Sequence, residues 1–234
     1  MAEENDKCEA CAQKGSCKDQ GAGAGNECIV DRMARIKHKI IIASGKGGVG
    51  KSTVSVNLAR ALKMKGYRVG ILDADITGPD IPKLLGIEDL KLTQGEEGIE
   101  PVSSDGIKAA SMALVLSRRA SPVVWRGPMK MAAIKQFIQD VNWGDLDFLI
   151  IDLPPGTSDE PLSVLQLIPD LAGAIIVTTP QEVSLLDSRK AVNMVKAMKL
   201  PVLGVVENMS GLTCPHCGKT INMFGSGGGQ KMAE

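Results

Sequence analysis

Aromatic residues make up only 3% of this 234-residue chain, so a folded core must be built from Ile, Val, Leu, Ala and Met. No apolar run approaches the ~20 residues of a membrane-spanning helix, and the acidic start, Met1 to Lys7, lacks the apolar segment of a secretory signal. Lys plus Arg and Asp plus Glu each total 27, which excludes a global basic field for nucleic acid or anionic lipid. We therefore expect a cytoplasmic protein with no nucleic-acid partner and no membrane partner.

Six cysteines in such a chain indicate metal or redox chemistry rather than structural disulfides. Four of them lie near the start of the chain, beside a Gly-rich stretch, at Cys8, Cys11, Cys17 and Cys28. We predict that residues 1–30 form a flexible tail, ordered only if metal binds. Residues 31–234 are long enough for one continuous domain.

The predicted secondary structure alternates between strands and helices. Near-continuous apolar runs, typical of strands buried on both faces of a parallel sheet, occur at 39–43, 68–73, 147–152, 173–178 and 201–206. Helical patterns occur at 53–65, 130–141, 160–167 and 184–198, and segment 98–113 predicts a hairpin or excursion at the sheet edge. The chain is therefore predicted to be an α/β protein with a doubly wound, mostly parallel sheet and helices on both faces.

The segment Gly45-Lys-Gly-Gly-Val-Gly-Lys-Ser52 matches the phosphate-loop pattern G-x-x-x-x-G-K-[ST]. It lies between a predicted strand and a predicted helix, the context that the pattern requires. Its glycines let backbone N–H groups face phosphate oxygens, and the helix presents its positive end. We expect Lys51 to reach the outer phosphates and Ser52 to bind Mg²⁺. The predicted nucleotide contacts are Gly45, Lys46, Gly47, Gly48, Val49, Gly50, Lys51, Ser52 and Thr53.

Two acidic motifs end predicted strands, where a doubly wound sheet binds its ligand. They are Asp73-Ala-Asp75 and the segment from Asp152 to Asp159. We assign Asp152 to Mg²⁺ with Asp73 in support, and Asp75 to the attacking water. The alternative for either residue of the first motif is to cap the following turn. In the second motif, Gly156 provides the backbone freedom of a loop that senses a γ-phosphate.

Two further residues have open interpretations. Lys46 is not required by an ordinary phosphate loop, so it is either a solvated lysine or a cation supplied to a neighbouring subunit's γ-phosphate. Asn208 ends a predicted strand, where its amide can pair with an adenine edge or form an Asx turn. The chain has no Asn-Lys-x-Asp motif, which would indicate guanine.

The segment Cys214-Pro-His-Cys217-Gly218 is a metal half-site. It supplies two thiolates, whereas zinc and [4Fe–4S] clusters commonly take four ligands. No second pair follows, so the missing ligands come from the tail or from a second copy of the chain, and a two-fold dimer provides them naturally. His216 is expected to face solvent. A thioredoxin-like pair is disfavoured because no strand–helix context surrounds these cysteines.

Taken together, the motifs resemble the Mrp/ApbC group of iron–sulfur cluster carrier ATPases, within the MinD-like family. The resemblance covers residues 33–234 and is carried by Gly45–Thr53, Asp73–Pro82, Trp125–Met129, Asp152–Asp159 and Asn208–Cys217. It implies that Lys46 acts across a nucleotide-sandwich homodimer and that Asn208 contacts the adenine of ATP. It also implies a labile [4Fe–4S] cluster between Cys214 and Cys217 of two subunits, with zinc able to substitute.

The resemblance therefore implies a cytoplasmic homodimer that hydrolyses ATP slowly, assembles a cluster and transfers it to apo iron–sulfur proteins. The four N-terminal cysteines resemble a second cluster motif of the eukaryotic branch, although a long-separated leading cysteine is absent and Cys28 comes late. Two alternatives stay open. A MinD/ParA-type positioning ATPase would need a basic amphipathic helix or patch, and a metal-insertion NTPase would hold zinc or nickel at the same knuckle.

Overall fold

The computed structural model describes residues 24–115 and 127–234. Its strands are β1 (Ile36–Ser44), β2 (Val69–Asp73), β3 (Thr93–Gly95), β4 (Gly98–Glu100), β5 (Val102–Ser104), β6 (Ile107–Ser111), β7 (Leu146–Asp152), β8 (Leu171–Thr178), β9 (Val202–Glu207), β10 (Leu212–Thr213) and β11 (Thr220–Ile221). Its helices are α1 (Ala24–Ala34), α2 (Lys51–Met64), α3 (Ile81–Leu85), α4 (Gly127–Asp140), α5 (Asp159–Leu167), α6 (Glu182–Ala197) and α7 (Gly228–Ala233), with a 3-10 turn at Met112–Leu114.

The central layer is a seven-stranded sheet in the order β5-β6-β2-β7-β1-β8-β9. Only β5 runs antiparallel to its neighbour in this sheet, and the other neighbouring pairs are parallel. The hairpin of β5 and β6 forms one edge, and β3 pairs with β4 in a separate two-stranded sheet. The predicted α/β fold with a mostly parallel sheet is confirmed, and so is the excursion at the sheet edge.

Both faces of the sheet are buried, which explains the unbroken apolar runs. Alternate residues of a strand point to opposite faces, so consecutive side chains enter two different cores. One core packs against α1, α4, α5 and α6, and the other packs against α2 and α3. The pairs that divide in this way are Ile41 and Ile42, Leu72 and Ile71, Ile151 and Ile150, and Ile176 and Val177.

Helix α1 spans the predicted boundary between the tail and the domain. The boundary predicted at residue 30 falls inside this helix, and Ile29 and Met33 are buried in the core one helical turn apart. The buried ammonium group of Lys39 donates a hydrogen bond to the Met33 carbonyl (3.1 Å), at the end of the helix where carbonyls lack intrahelical partners. Ile29 and Met33, four residues apart on one face of the helix, thus attach α1 to the core.

The remaining part of the predicted tail, with Cys8, Cys11 and Cys17, lies outside the described residues, and Cys28 falls within α1. The tail and its second cluster stay predictions. Among the helices of the described residues, none is long and apolar enough to cross a membrane.

Candidate nucleotide site and cysteine knuckle

A cavity of about 350 Å³ opens where the phosphate loop meets the loop after β2 and helix α3. It lies beyond the carboxyl ends of the strands, where doubly wound sheets bind ligands. Its walls come from four segments that the fold brings together: Ser44, Lys46, Gly47, Gly48, Gly50, Lys51, Ser52 and Thr53; Asp75, Asp80, Lys83 and Leu84; Pro155; and Met209.

Glycines shape the phosphate loop. Gly48 and Gly50 adopt left-handed backbone conformations, with φ of 77° and 88°. A Cβ on Gly45 would lie 2.1 Å from the carbonyl carbon of Asp187, so the loop packs directly on the backbone of α6. Helix α2 then begins without a side-chain cap and without an acidic residue in its first turn. Its free N–H groups and positive dipole end are therefore available to an anion.

Asp152 is the centre of the polar network below this loop. Its Oδ2 lies 2.7 Å from the Lys51 Nζ and 2.7 Å from the Ser52 Oγ, and its Oδ1 accepts a hydrogen bond from the Ser55 hydroxyl (2.6 Å). Mg²⁺ prefers closely spaced oxygen ligands and commonly takes one or two carboxylates. The Ser52 hydroxyl and the Asp152 carboxylate fit this donor set. Ser55 was missed in the sequence, although it lies one turn beyond Lys51.

Asp73 is the in-register partner of Asp152 on the neighbouring strand. It accepts hydrogen bonds from the Ser111 hydroxyl (3.0 Å) and from the backbone N–H of Asp75 (3.1 Å). Burial raises the pKa of Asp73 well above its ordinary value, and the negative charge of Asp152 raises it further. Two adjacent buried carboxyl groups beside one lysine favour a bound cation. The role of Asp73 in supporting Mg²⁺ stays a prediction.

Asp75 both caps a turn and lines the cavity. Its Oδ1 accepts hydrogen bonds from the backbone N–H and the hydroxyl of Thr77 and from the N–H of Gly78. The capping alternative is thus present, and the role in orienting water stays a prediction. The loop that follows β7 also approaches the phosphate loop, because the N–H of Gly156 donates to the Ser44 carbonyl (2.9 Å).

The remaining nucleotide-site candidates, Lys46 and Asn208, lie in the phosphate loop and beside it, respectively. Lys46 lines the cavity, and its carbonyl accepts a hydrogen bond from the Ser44 hydroxyl (3.0 Å). Asn208 lies against the loop's backbone, with its Nδ2 donating to the Val49 carbonyl (2.9 Å). The action of Lys46 across a dimer and the contact of Asn208 with adenine stay predictions. Trp125, in a motif that carried the resemblance, lies outside the described residues.

The cysteine knuckle is the turn between β10 and β11. It is closed by hydrogen bonds from the Cys214 N–H to the Lys219 carbonyl and from the Gly218 N–H to the Cys214 carbonyl, both 2.9 Å. The backbone N–H groups of Cys217 and His216 point at the Cys214 sulfur and, with the Cys217 side chain, lower the pKa of its thiol. This environment favours the thiolate, the form that binds metal.

The knuckle is accessible and incomplete as a metal site. Cys214 is half-buried, and both Cys217 and His216 are exposed. Within the described residues, no group of three or more His, Cys, Asp or Glu side chains is placed to hold a metal ion. Apolar side chains beside the knuckle are also exposed, with Leu212 at 51% and Ile221 at 45%. Leu212 and Ile221 face each other across the β10–β11 pair, and their exposure was not predicted from the sequence.

The chain is similar to known iron-transfer NTPases and iron-sulfur cluster carriers. A family model described as "ParA: NUBPL iron-transfer P-loop NTPase" matches residues 35–234. The iron-sulfur cluster carrier protein of Methanocaldococcus jannaschii is 53% identical over 237 residues, covering 100% of this chain and 82% of that protein. The cytosolic Fe-S cluster assembly factor NUBP2 homolog of Dictyostelium discoideum is 52% identical over 209 residues, covering 86% of this chain and 78% of its own length.

Solved structures show the same similarity. The nucleotide-binding protein of Archaeoglobus fulgidus, in complex with ADP and with Co found in it, has a TM-score of 0.78 and 43% identity, covering 89% of this chain and 81% of its own. The cell division ATPase MinD of Pyrococcus furiosus has a TM-score of 0.53 and 28% identity, covering 73% of this chain and 71% of its own.

Proposed function

The chain belongs to the NUBPL family of iron-transfer P-loop NTPases, and on this premise we propose that it is an ATP-dependent carrier of iron–sulfur clusters. The protein binds ATP, hydrolyses it slowly as a homodimer, assembles a labile [4Fe–4S] cluster and transfers it to apo-proteins. The names of relatives support the carrier role and a cytosolic location. The ADP in the Archaeoglobus relative supports nucleotide binding.

The observation that carries the proposal is the exposed pair of thiols at Cys214 and Cys217. Two thiolates neither close a tetrahedral site nor hold a cubane, and the described residues place no third ligand beside them. A second copy of the chain, related by a two-fold axis, would supply two more. It would also cover the exposed Leu212 and Ile221 side chains. A centre with few protein ligands at such an interface is accessible, which suits a cargo that must be released.

The nucleotide site has the groups that phosphoryl transfer requires. The free N–H groups at the start of α2 hold phosphate oxygens, and Lys51 neutralises the outer phosphates. Ser52 and Asp152 would hold Mg²⁺, which would draw negative charge off the transferred phosphoryl group. Asp75 orients the attacking water at the cavity wall, and Lys46 stabilises the developing charge on the partner's nucleotide.

Nucleotide state is proposed to reach the dimer through the loop from Asp152 to Asp159. Gly156 in this loop is hydrogen-bonded to Ser44, the residue just before the phosphate loop, and the loop leads directly into α5. A γ-phosphate that displaces the loop would change the angle between subunits and so tighten or loosen the grip on the cluster.

The test is anaerobic reconstitution of the full chain with iron and sulfide, comparing Cys214→Ser with His216→Ala. The unsubstituted protein should show the visible spectrum of a [4Fe–4S] cluster with one cluster per dimer. Cys214→Ser should keep ATP binding, lose the cluster and fail to activate an apo iron–sulfur enzyme. His216→Ala is the matched control, because this exposed side chain lies within the same turn and is not a proposed ligand.

Two outcomes would contradict the proposal. One is cluster transfer by Cys214→Ser at the normal rate. The other is a metal content of one centre per subunit. Zinc or nickel bound with no iron–sulfur spectrum would instead favour the metal-insertion alternative.

A further inference from the structure

Glu207, the last residue of β9, holds together the two ends of the segment that carries the knuckle. Its Oε1 accepts hydrogen bonds from the Ser210 hydroxyl (2.5 Å) and from the Gly227 N–H (2.8 Å), and its Oε2 accepts one from the Gly229 N–H. The chain leaves the main sheet at Glu207, forms β10, the knuckle and β11, and returns at Gly227. A single carboxylate therefore closes the base of this excursion.

The returning glycines allow a close approach at this closure. A Cβ on Gly229 would lie 2.9 Å from the Glu207 Cβ, and a Cβ on Gly228 would lie 2.4 Å from the Leu185 Cδ1 on α6. Partial burial opposes ionisation of Glu207, but the hydrogen bonds from Gly229, Ser210, Gly227 and Gly228 outweigh it and lower the pKa of the carboxyl group. The closure is thus made by a charged acceptor, which forms stronger hydrogen bonds than a neutral one.

The next residue, Asn208, is fixed to the nucleotide site. Its backbone N–H donates to the Thr178 carbonyl (2.8 Å), and its Nδ2 donates to the Val49 carbonyl within the phosphate loop (2.9 Å). The approach is close, because a Cβ on Gly50 would lie 2.3 Å from this Nδ2. A displacement of the phosphate-loop backbone at Val49 would therefore also displace the Asn208 side chain.

Met209 completes the connection. It lines the nucleotide cavity, and its backbone is left-handed, with φ of 58°. Residues other than glycine, asparagine and aspartate seldom adopt this conformation. Here it is accompanied by a hydrogen bond from the Met209 N–H to the Asn208 Oδ1 (2.9 Å). Three consecutive residues therefore link the two sites: Glu207 closes the base of the knuckle excursion, Asn208 contacts the phosphate loop, and Met209 lines the cavity.

We propose that Glu207 and Asn208 are positioning residues that couple the nucleotide site to the cysteine knuckle. Phosphate groups that draw the loop's N–H groups inward shift the Val49 carbonyl, and Asn208 follows because it is bonded to it. Because Glu207 holds both ends of the excursion, the knuckle moves as a rigid unit. Without this closure the backbone would bend near Ser210 and the knuckle would stay in place. The meaning of this coupling for cluster transfer rests on the proposed function, but the coupling itself is a property of the metal-free chain.

The experiment measures alkylation of Cys214 and Cys217 by iodoacetamide in metal-free full-length protein, resolved by peptide mass spectrometry. Rates are compared without nucleotide, with Mg–ADP and with a non-hydrolysable ATP analogue. In the unsubstituted protein a nucleotide should change the rate by about fivefold or more, the lower end of typical coupling between sites. In Glu207→Ala this response should be lost while nucleotide affinity is kept. Glu96→Ala is the matched control, because Glu96 is an exposed carboxylate in the β3–β4 turn, and it should respond normally.

Three results would overturn the coupling. These are equal alkylation rates with and without nucleotide in the unsubstituted protein, a normal response in Glu207→Ala, and a loss of nucleotide affinity in that variant that accounts for the lost response. If Glu207→Ala does not fold, Glu207→Gln is judged by the same criteria, because it keeps the side-chain size and removes the charge. Failure of the proposed function appears separately, as the absence of an iron–sulfur spectrum after reconstitution of the unsubstituted protein.

Discussion

Replacement of Lys51 by methionine should destabilise the fold as well as abolish tight ATP binding. The Lys51 Nζ lies 2.7 Å from the Asp152 Oδ2, and the two side chains are 7% and 1% exposed. Removing one partner of a buried ion pair leaves an uncompensated charge and costs about 3–5 kcal/mol. The Ser52 and Ser55 hydroxyls still donate to Asp152, so we expect a loss near the lower limit, about 3 kcal/mol.

The loss is measurable by urea unfolding of the nucleotide-free protein at neutral pH. With a urea dependence of about 3 kcal/mol per molar, the unfolding midpoint should fall by about 1 M. Lys65→Met is the matched control, because Lys65 is an exposed lysine at the end of the same helix. The double variant Lys51→Met/Asp152→Asn should recover most of the stability, since the buried charge is then removed. A normal midpoint for Lys51→Met, or no recovery in the double variant, would refute the reasoning.

Three other predictions follow from the same structure and from the sequence. Lys46→Ala should keep ATP affinity in equilibrium binding but lose steady-state hydrolysis, because a cation acting in trans contributes about 10³-fold or more; normal turnover would remove that role. Because the pKa of Asp73 is raised in the folded protein, the native state loses stability as the pH rises through that raised pKa. Asp73→Asn should therefore be more stable than the parent near pH 7 and similar to it near about pH 3. Equal urea midpoints for the two proteins at both pH values would argue against this. Deletion of residues 1–23, which leaves α1 intact, should lower the iron content per chain if the tail binds a second cluster, and unchanged iron would exclude that cluster.

Several site residues were predictable because each motif is contiguous in the sequence and has one required context. The phosphate loop needs a strand before it and a helix after it, and its glycines, Lys51 and Ser52 are neighbours in the chain. The knuckle likewise keeps both thiols within four consecutive residues, so its ligand count can be read directly. Asp73 and Asp152 were predictable together, since they end buried parallel strands whose carboxyl ends meet at one edge.

Other features depend on contacts between distant segments and had no local signal. Residues 1–30 were predicted to form a tail because they are polar and Gly-rich, whereas burial of Ile29 and Met33 attaches α1 to the core. Two other contacts form only when the strands are assembled. They are the hydrogen bonds by which Asp75 caps a turn and the hydrogen bond from Asn208 to the Val49 carbonyl.

The sequence by itself therefore determined the fold class, the phosphate loop and the cysteine pair, because apolar periodicity and short motifs act over a few residues. Only the tertiary structure decided that α1 belongs to the domain, that Asp152 joins Lys51 to two serine hydroxyls, and that Glu207 closes the base of the knuckle. The first arrangement is made by burial of Ile29 and Met33 in the core, and the other two by hydrogen bonds between residues far apart in the chain. Their geometry is set when the sheet orders its strands and brings those residues within bonding distance.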